Sequence, residues 1–166
     1  MRSRPWIFEE YPALQGRVPW TALGEFPTPV HRLERVSDLL GVEVWVKRDD
    51  LSSPLYGGNK VRKLEFTLAD ALRRGCRYVL TFGGIGSNHA LATTVHGSRL
   101  GLKAVLVLIP QPVTEHVRRN LLLDAHLGAE LRLAGGRLGA YLQAARVLLT
   151  RRGVYLLPPG GSTPLG

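Results

Sequence analysis

"RYVLTFGGIGSNHALATTVHGSRLGLKAVLVLI", residues 77–109, decides how the chain folds. It opens on a short, mostly continuous apolar run, "RYVLTF", that ends in a turn carrying Gly83, Gly84 and Gly86. "SNHALATTVHGSRLG" then reads as a helix, entered through Ser87, an ordinary N-cap residue, and closed by a glycine. "KAVLVLI" is a second short apolar run. Strands apolar on both faces and joined through a helix belong to a parallel sheet covered on both sides.

Downstream the same alternation continues. "TEHVRRNLLLDAHLG" reads as a helix, "AELRLAG" as a strand, "GAYLQAARVLLTRRG" as a helix and "VYLLPPG" as a last strand. The pattern β-α-β-α-β-α-β predicts an α/β fold: a small three-layer domain over 76–159 built on a parallel sheet. Residues 160–166, "GGSTPLG", begin a return segment toward a larger domain.

Upstream the pattern is different. Residues 1–24 show little periodicity and read as a wrapping arm. "FPTPVHRLERVSDLLG" begins extended, because Pro27 and Pro29 disfavour helix before them, and becomes a helix ended by Gly41. In "VEVWVKRDD" the alternation of Val42, Val44 and Val46 predicts a half-buried strand. "KVRKLEFTLADALRRG" predicts a helix whose apolar face is Val61, Leu64, Leu68 and Leu72, closed by Gly75. One strand and two helices cannot close a core, so residues 1–75 read as the incomplete N-terminal part of a larger α/β domain, with nothing to pack against.

Composition narrows the class. In 166 residues, 45% are apolar and 21% charged, a globular balance. No apolar run is long enough to span a membrane, and "MRSRPWIFEEYP" carries no secretory signal. The single cysteine, Cys76, allows no internal disulfide and fits a cytoplasmic location. A net charge of +9 raises the question of nucleic acid. The basic residues are scattered, however, and no aromatic residues interleave them as a stacking platform would need, so nucleic acid is not an expected partner.

Lysine usage points to a site. The chain holds 18 arginines and 4 lysines, yet Lys60 and Lys63 stand together in "GGNKVRKLEF". Lysine at a helix N-terminus opposes the helix dipole. A solvated helix start is one reading. A bound phosphate is another, and an amine that captures an electrophile is a third, its pKa lowered by a neighbouring cation such as Lys63 or Arg62. In the turn 83–88, free helix N–H groups and glycines make an anion site, or simply a capped turn. A dinucleotide fingerprint is discounted: G-x-G-x-x-G is absent, and no acidic residue ends "KAVLVLI".

"GGNKVRKLEF" followed by "GGIGSNHA", supported by "TPVHRLERVSDLLG", "VWVKRDDL" and "GGSTPLG" in order, resembles the family of 1-aminocyclopropane-1-carboxylate deaminase and D-cysteine desulfhydrase, pyridoxal-phosphate enzymes of the tryptophan synthase β-subunit fold type. The likeness spans roughly residues 20–166. It implies pyridoxal 5'-phosphate as cofactor and a small amino acid as substrate. It implies Lys60 as the Schiff-base lysine and proton carrier, and Lys63 as the phosphate partner. Asn88 would meet the ring oxygen O3′ and lie against the substrate. Ser87, taken as catalytic with Lys60, would sit near the substrate and with the 84–88 turn hold its carboxylate. Asn59 would order its loop or touch substrate.

His89 follows Ser-Asn where deaminases of the family tend to carry Gln. It is taken as substrate-binding and tilts the reading toward D-cysteine desulfhydrase-like β-elimination, with 1-aminocyclopropane-1-carboxylate deamination as the alternative. His31, His96, His116 and His126 are read as structural, and no metal is expected. The family's chains continue past Gly166 and supply a second phosphate loop, the partner of the pyridine nitrogen and substrate-side tyrosines. None of those roles falls on a residue here. The reading is therefore a truncated portion of a longer protein, a homodimer when full length. A non-catalytic fragment that binds an anionic metabolite is a further alternative.

Overall fold

The computed structural model describes residues 4–166. After a short helix α1 (Ile7–Glu10) come β1 (Val30–Arg32), α2 (Glu34–Leu40), β2 (Trp45–Lys47) and α3 (Lys60–Arg73). The regular alternation follows: β3 (Tyr78–Gly84), α4 (Asn88–Arg99), β4 (Lys103–Ile109), α5 (Glu115–His126), β5 (Glu130–Leu133), α6 (Arg137–Thr150) and β6 (Val154–Leu156).

The last four strands form one parallel sheet in the order β5-β4-β3-β6. Burial follows the two-residue period of a strand. Leu106 and Leu108 of β4 pack with Ala90 of α4 and Val117 of α5 on one face. Val105 and Val107 pack with Ala140, Ala144 and Val147 of α6 on the other. The sheet is therefore the middle layer of three. Each such fully buried side chain contributes about 1.5–3 kcal/mol.

Strand order places the site. The chain steps from β3 to β4 to β5, then crosses back and lays β6 on the far side of β3. The order reverses between β3 and β6. In open α/β sheets, ligands bind at the carboxyl ends of the strands at such a point.

Three expectations are corrected. Residues 1–75 are not without a packing partner, because α3 joins the sheet's own core. Its Val61, Leu64, Leu68 and Ala71 pack with Val79, Ala92, Leu102 and Leu157. The Tyr155 hydroxyl of β6 also donates to Asp70 of α3 at 3.2 Å. Leu72 does not complete the apolar face: it is 39% exposed, and Ala71 is buried instead. The strand expected from Val42 to Val46 forms only at Trp45–Lys47, where it pairs antiparallel with β1, and Val42 stands in solvent. Among the described residues, no second layer covers that strand pair.

The wrapping arm is present from Arg4 onward; its first three residues lie outside the described residues. Phe8 is buried, its ring packed against Trp20 and Phe66. The arm is pinned by Glu65 of α3, whose carboxylate accepts from Trp20 Nε1 at 3.0 Å, Leu23 N at 3.0 Å and Gly24 N at 3.1 Å.

Candidate active site

Lys60 and Lys63 stand three residues apart, on neighbouring turns of one helix face. Val61 and Leu64 are buried in the core beside them, which fixes the direction of that face. Both lysines reach the same distant segment. Lys60 Nζ lies 3.5 Å from the carbonyl oxygen of Gly160, and Lys63 Nζ donates to Ser162 Oγ at 3.2 Å. Among the described residues, no carboxylate pairs with either amine. Arg62, between them, is already engaged: it donates to Asp49 Oδ1 at 2.7 Å and stacks over Phe26. Arg62 is therefore committed to Asp49, while Lys63 faces the same segment as Lys60.

The third wall is the start of α4. Ser87 is its N-cap: the Ser87 Oγ accepts from Ala90 N at 3.2 Å. The turn into it is tight, and a Cβ on Gly83 would stand 2.5 Å from the Ser87 side chain, so no larger residue fits there. The remaining first-turn N–H groups of α4 are the open donors of any helix start. Asn88 is exposed and presents its Oδ1 inward, where it accepts from Tyr56 Oη and Asn120 Nδ2, each at 3.1 Å.

His89 sits deeper than a surface substrate contact would. It is 6% exposed, and its Nε2 meets Thr81 Oγ1 of β3 at 3.1 Å. Its Nδ1 is buried without a partner. Burial pushes the imidazole down to about 4, and the charges of Lys60 and Lys63 push the same way. The ring stays neutral at neutral pH. A Cβ on Gly161 would come 3.3 Å from His89 Cε1, so the glycines of the 160–161 turn let that segment close over the histidine and the lysines.

Asn59 occupies the N-cap position of α3 but makes no side-chain capping bond, and it is exposed. The loop before α3 is held by Ser52 instead, whose Oγ bonds both the N–H and the carbonyl of Gly58 at 3.0 Å. Of the histidines read as structural, His96 is fully buried with Nε2 3.0 Å from the carbonyl of Tyr56.

Lys60, Lys63, Ser87, Asn88 and His89 thus gather at the carboxyl ends of β3 and β6, where strand order reverses. Sequence reasoning missed Gly160, Gly161 and Ser162 as members of the site. "GGSTPLG" reads as the start of a return segment, but nothing in it points 100 residues back to Lys60. It also missed Tyr56, Thr81 and Asn120, which carry no local signal of a ligand.

Residues 21–166 match the family described as pyridoxal-phosphate dependent enzyme. A Pyrococcus abyssi protein provisionally named 1-aminocyclopropane-1-carboxylate deaminase is 44% identical over 160 residues, which is 93% of this chain and 48% of the relative. The D-cysteine desulfhydrase of Salmonella paratyphi B is 40% identical over 159 residues, 90% of this chain and 48% of that protein. A crystal structure described as an ACC deaminase homologue superposes with a TM-score of 0.81 at 38% identity, covering 98% of this chain and 50% of that one. The chain spans about half the length of these relatives.

Proposed function

The chain belongs to the family of pyridoxal-phosphate dependent enzymes, and from that premise we propose that it carries the lysine-bearing part of a lyase or deaminase acting on a small amino acid. The observation that carries the reading is the meeting of two amines without acidic partners, an open helix start and a glycine turn at one end of the sheet. A site with two amines and open helix N–H groups and no carboxylate suits a ligand with an anionic tail and an electrophilic carbonyl. The two lysines, with no carboxylate partner among the described residues, fit pyridoxal phosphate on that ground.

Bound there, the cofactor supplies an electron sink for charge that develops at the substrate Cα. Lys60 Nζ is the amine that holds it and the group that moves a proton at Cα. Lys63 balances the phosphate. Asn88 Nδ2 donates to the ring oxygen. The Ser87 region, with backbone N–H groups of the 84–88 turn, holds the substrate carboxylate. His89, neutral and buried, shapes the pocket beside Lys60, and Asn59 at the rim contacts substrate.

For the reaction we favour β-elimination from D-cysteine, giving pyruvate, ammonia and sulfide, in line with the name of the Salmonella relative. The name of the Pyrococcus relative supports a second reading, 1-aminocyclopropane-1-carboxylate converted to 2-oxobutyrate and ammonia. Sulfide release against 2-oxobutyrate release separates the two.

The test uses the protein expressed from its own gene. With pyridoxal phosphate it should show a visible absorption band, and borohydride should fix a pyridoxyl group on Lys60. Lys60→Ala should lose both. A band that survives in Lys60→Ala, or a tag on another residue, overturns the assignment. A wild-type protein with neither band nor tag points to the non-catalytic anion-binding reading.

A further inference from the structure

The amide of Asn88 can face the site with either end, and which end it presents decides whether it donates or accepts. The structure resolves this through a buried residue behind Asn88. Asn120 of α5 is buried, and its Nδ2 donates to the carbonyl oxygen of Gly86 at 3.0 Å. A backbone carbonyl only accepts, so the Asn120 atom beside it must be the NH2 end. That same Nδ2 lies 3.1 Å from Asn88, and the same group meets His116 Nε2 at 3.2 Å. That NH2 has two hydrogens, one for the Gly86 carbonyl and one shared between Asn88 and His116 Nε2. An amide nitrogen does not accept, so the Asn88 atom facing it is Oδ1.

A second donor closes the argument. The Tyr56 hydroxyl, four residues before Lys60, also points at Asn88 Oδ1 at 3.1 Å. Tyr56 is itself held in place, its carbonyl oxygen 3.0 Å from Nε2 of the fully buried His96. Burial raises the tyrosine's pKa, which keeps the hydroxyl protonated and donating. Asn88 Oδ1 then has both lone pairs engaged. Its Nδ2, on the far side of the amide, has no protein partner among the described residues.

We propose that Tyr56 and Asn120 are positioning residues that lock the Asn88 amide with both Nδ2 hydrogens turned toward the ligand. They tie three segments together: the loop that carries Lys60, the first turn of α4, and α5. The inference rests on the pyridoxal-phosphate reading above. It assigns the donor polarity of the site to two residues that act through Asn88.

The experiment is a double-mutant cycle on cofactor affinity, read from the visible band and not from turnover. Tyr56→Phe removes one hydrogen bond and should weaken pyridoxal-phosphate binding about 3- to 10-fold. Asn88→Ala should weaken it at least as much. In the Asn88→Ala background, Tyr56→Phe should have no further effect, because the hydroxyl then has nothing to orient. Asn120→Ala should behave the same way; if it fails to fold, Tyr56→Phe carries the test alone. An unchanged affinity in Tyr56→Phe overturns the inference. So does an equal loss with and without Asn88, since the tyrosine then acts through packing. Borohydride tagging of wild type at Lys60 keeps the two readings apart: tagging with a neutral Tyr56→Phe sinks only this inference, and no tagging sinks both.

Discussion

β4 and the β1–β2 hairpin region are both rich in aliphatic side chains, yet their surroundings are opposite. In β4, residues Val105 to Leu108 have no solvent exposure at all, because helices cover both faces of the strand. Around the hairpin, Leu39 is 84% exposed, Val42 60% and Trp45 56%. The apolar pattern in the two places is similar; what differs is whether a second layer exists. Alternation and branching make a strand, but only neighbouring elements bury it.

Substitutions should expose this contrast, beginning in the sheet. Leu106→Ala removes a fully buried side chain and should destabilise the fold by about 2–5 kcal/mol in urea unfolding. A loss under 1 kcal/mol would mean that the parallel sheet is no better packed than the hairpin.

An intermediate effect should come from the buried ionisable groups beside the sheet. Asp124 of α5 is almost wholly buried with one unpartnered oxygen, and burial pushes its carboxyl up to about 6. The folded state holds that proton more tightly than the unfolded chain. Stability from this group is complete below pH ~4 and declines as pH rises through about 6. Asp124→Asn should therefore stabilise the protein by roughly 1–3 kcal/mol at pH 7 and less at pH 4. His89 acts in the opposite direction. Its folded value of about 4 lies below the ordinary 6.5, so stability is complete above pH ~6.5 and falls as the unfolded chain takes up the proton on acidification. His89→Gln should flatten that acid-side decline in melting temperature between pH 6.5 and 4. An unchanged slope would place the histidine in solvent.

The smallest effect belongs to the hairpin side. Leu39→Ser on α2 should change stability by less than about 0.5 kcal/mol. If it costs as much as Leu106→Ala, something covers that face in solution.

The alternation of strands and helices after Arg77 was readable, since each strand is one short apolar run and each crossover helix ends at a glycine. Gly75, which closes α3, takes a φ of +68°, a conformation open to glycine at little cost. The lysine pair and the Ser87–His89 turn were legible as a candidate site because their residue types are unusual where they stand. Other features were not legible. Val42, Val44 and Val46 alternate like a half-buried strand, yet the partner that makes any strand there, β1, lies on the far side of α2. Leu72 fits the helical period of α3 but falls beyond the edge of its covered face.

Local chemistry alone determined the element types, the glycine stops and the two lysines at a helix start, because each depends on neighbours within a few residues. Only the tertiary structure decided that β6 returns beside β3, that Gly160 and Ser162 close on Lys60 and Lys63, and that Tyr56 and Asn120 meet at Asn88. Those contacts join residues 32 to 100 positions apart. The free energy that selects them is burial shared by the whole sheet, which no short stretch of sequence contains.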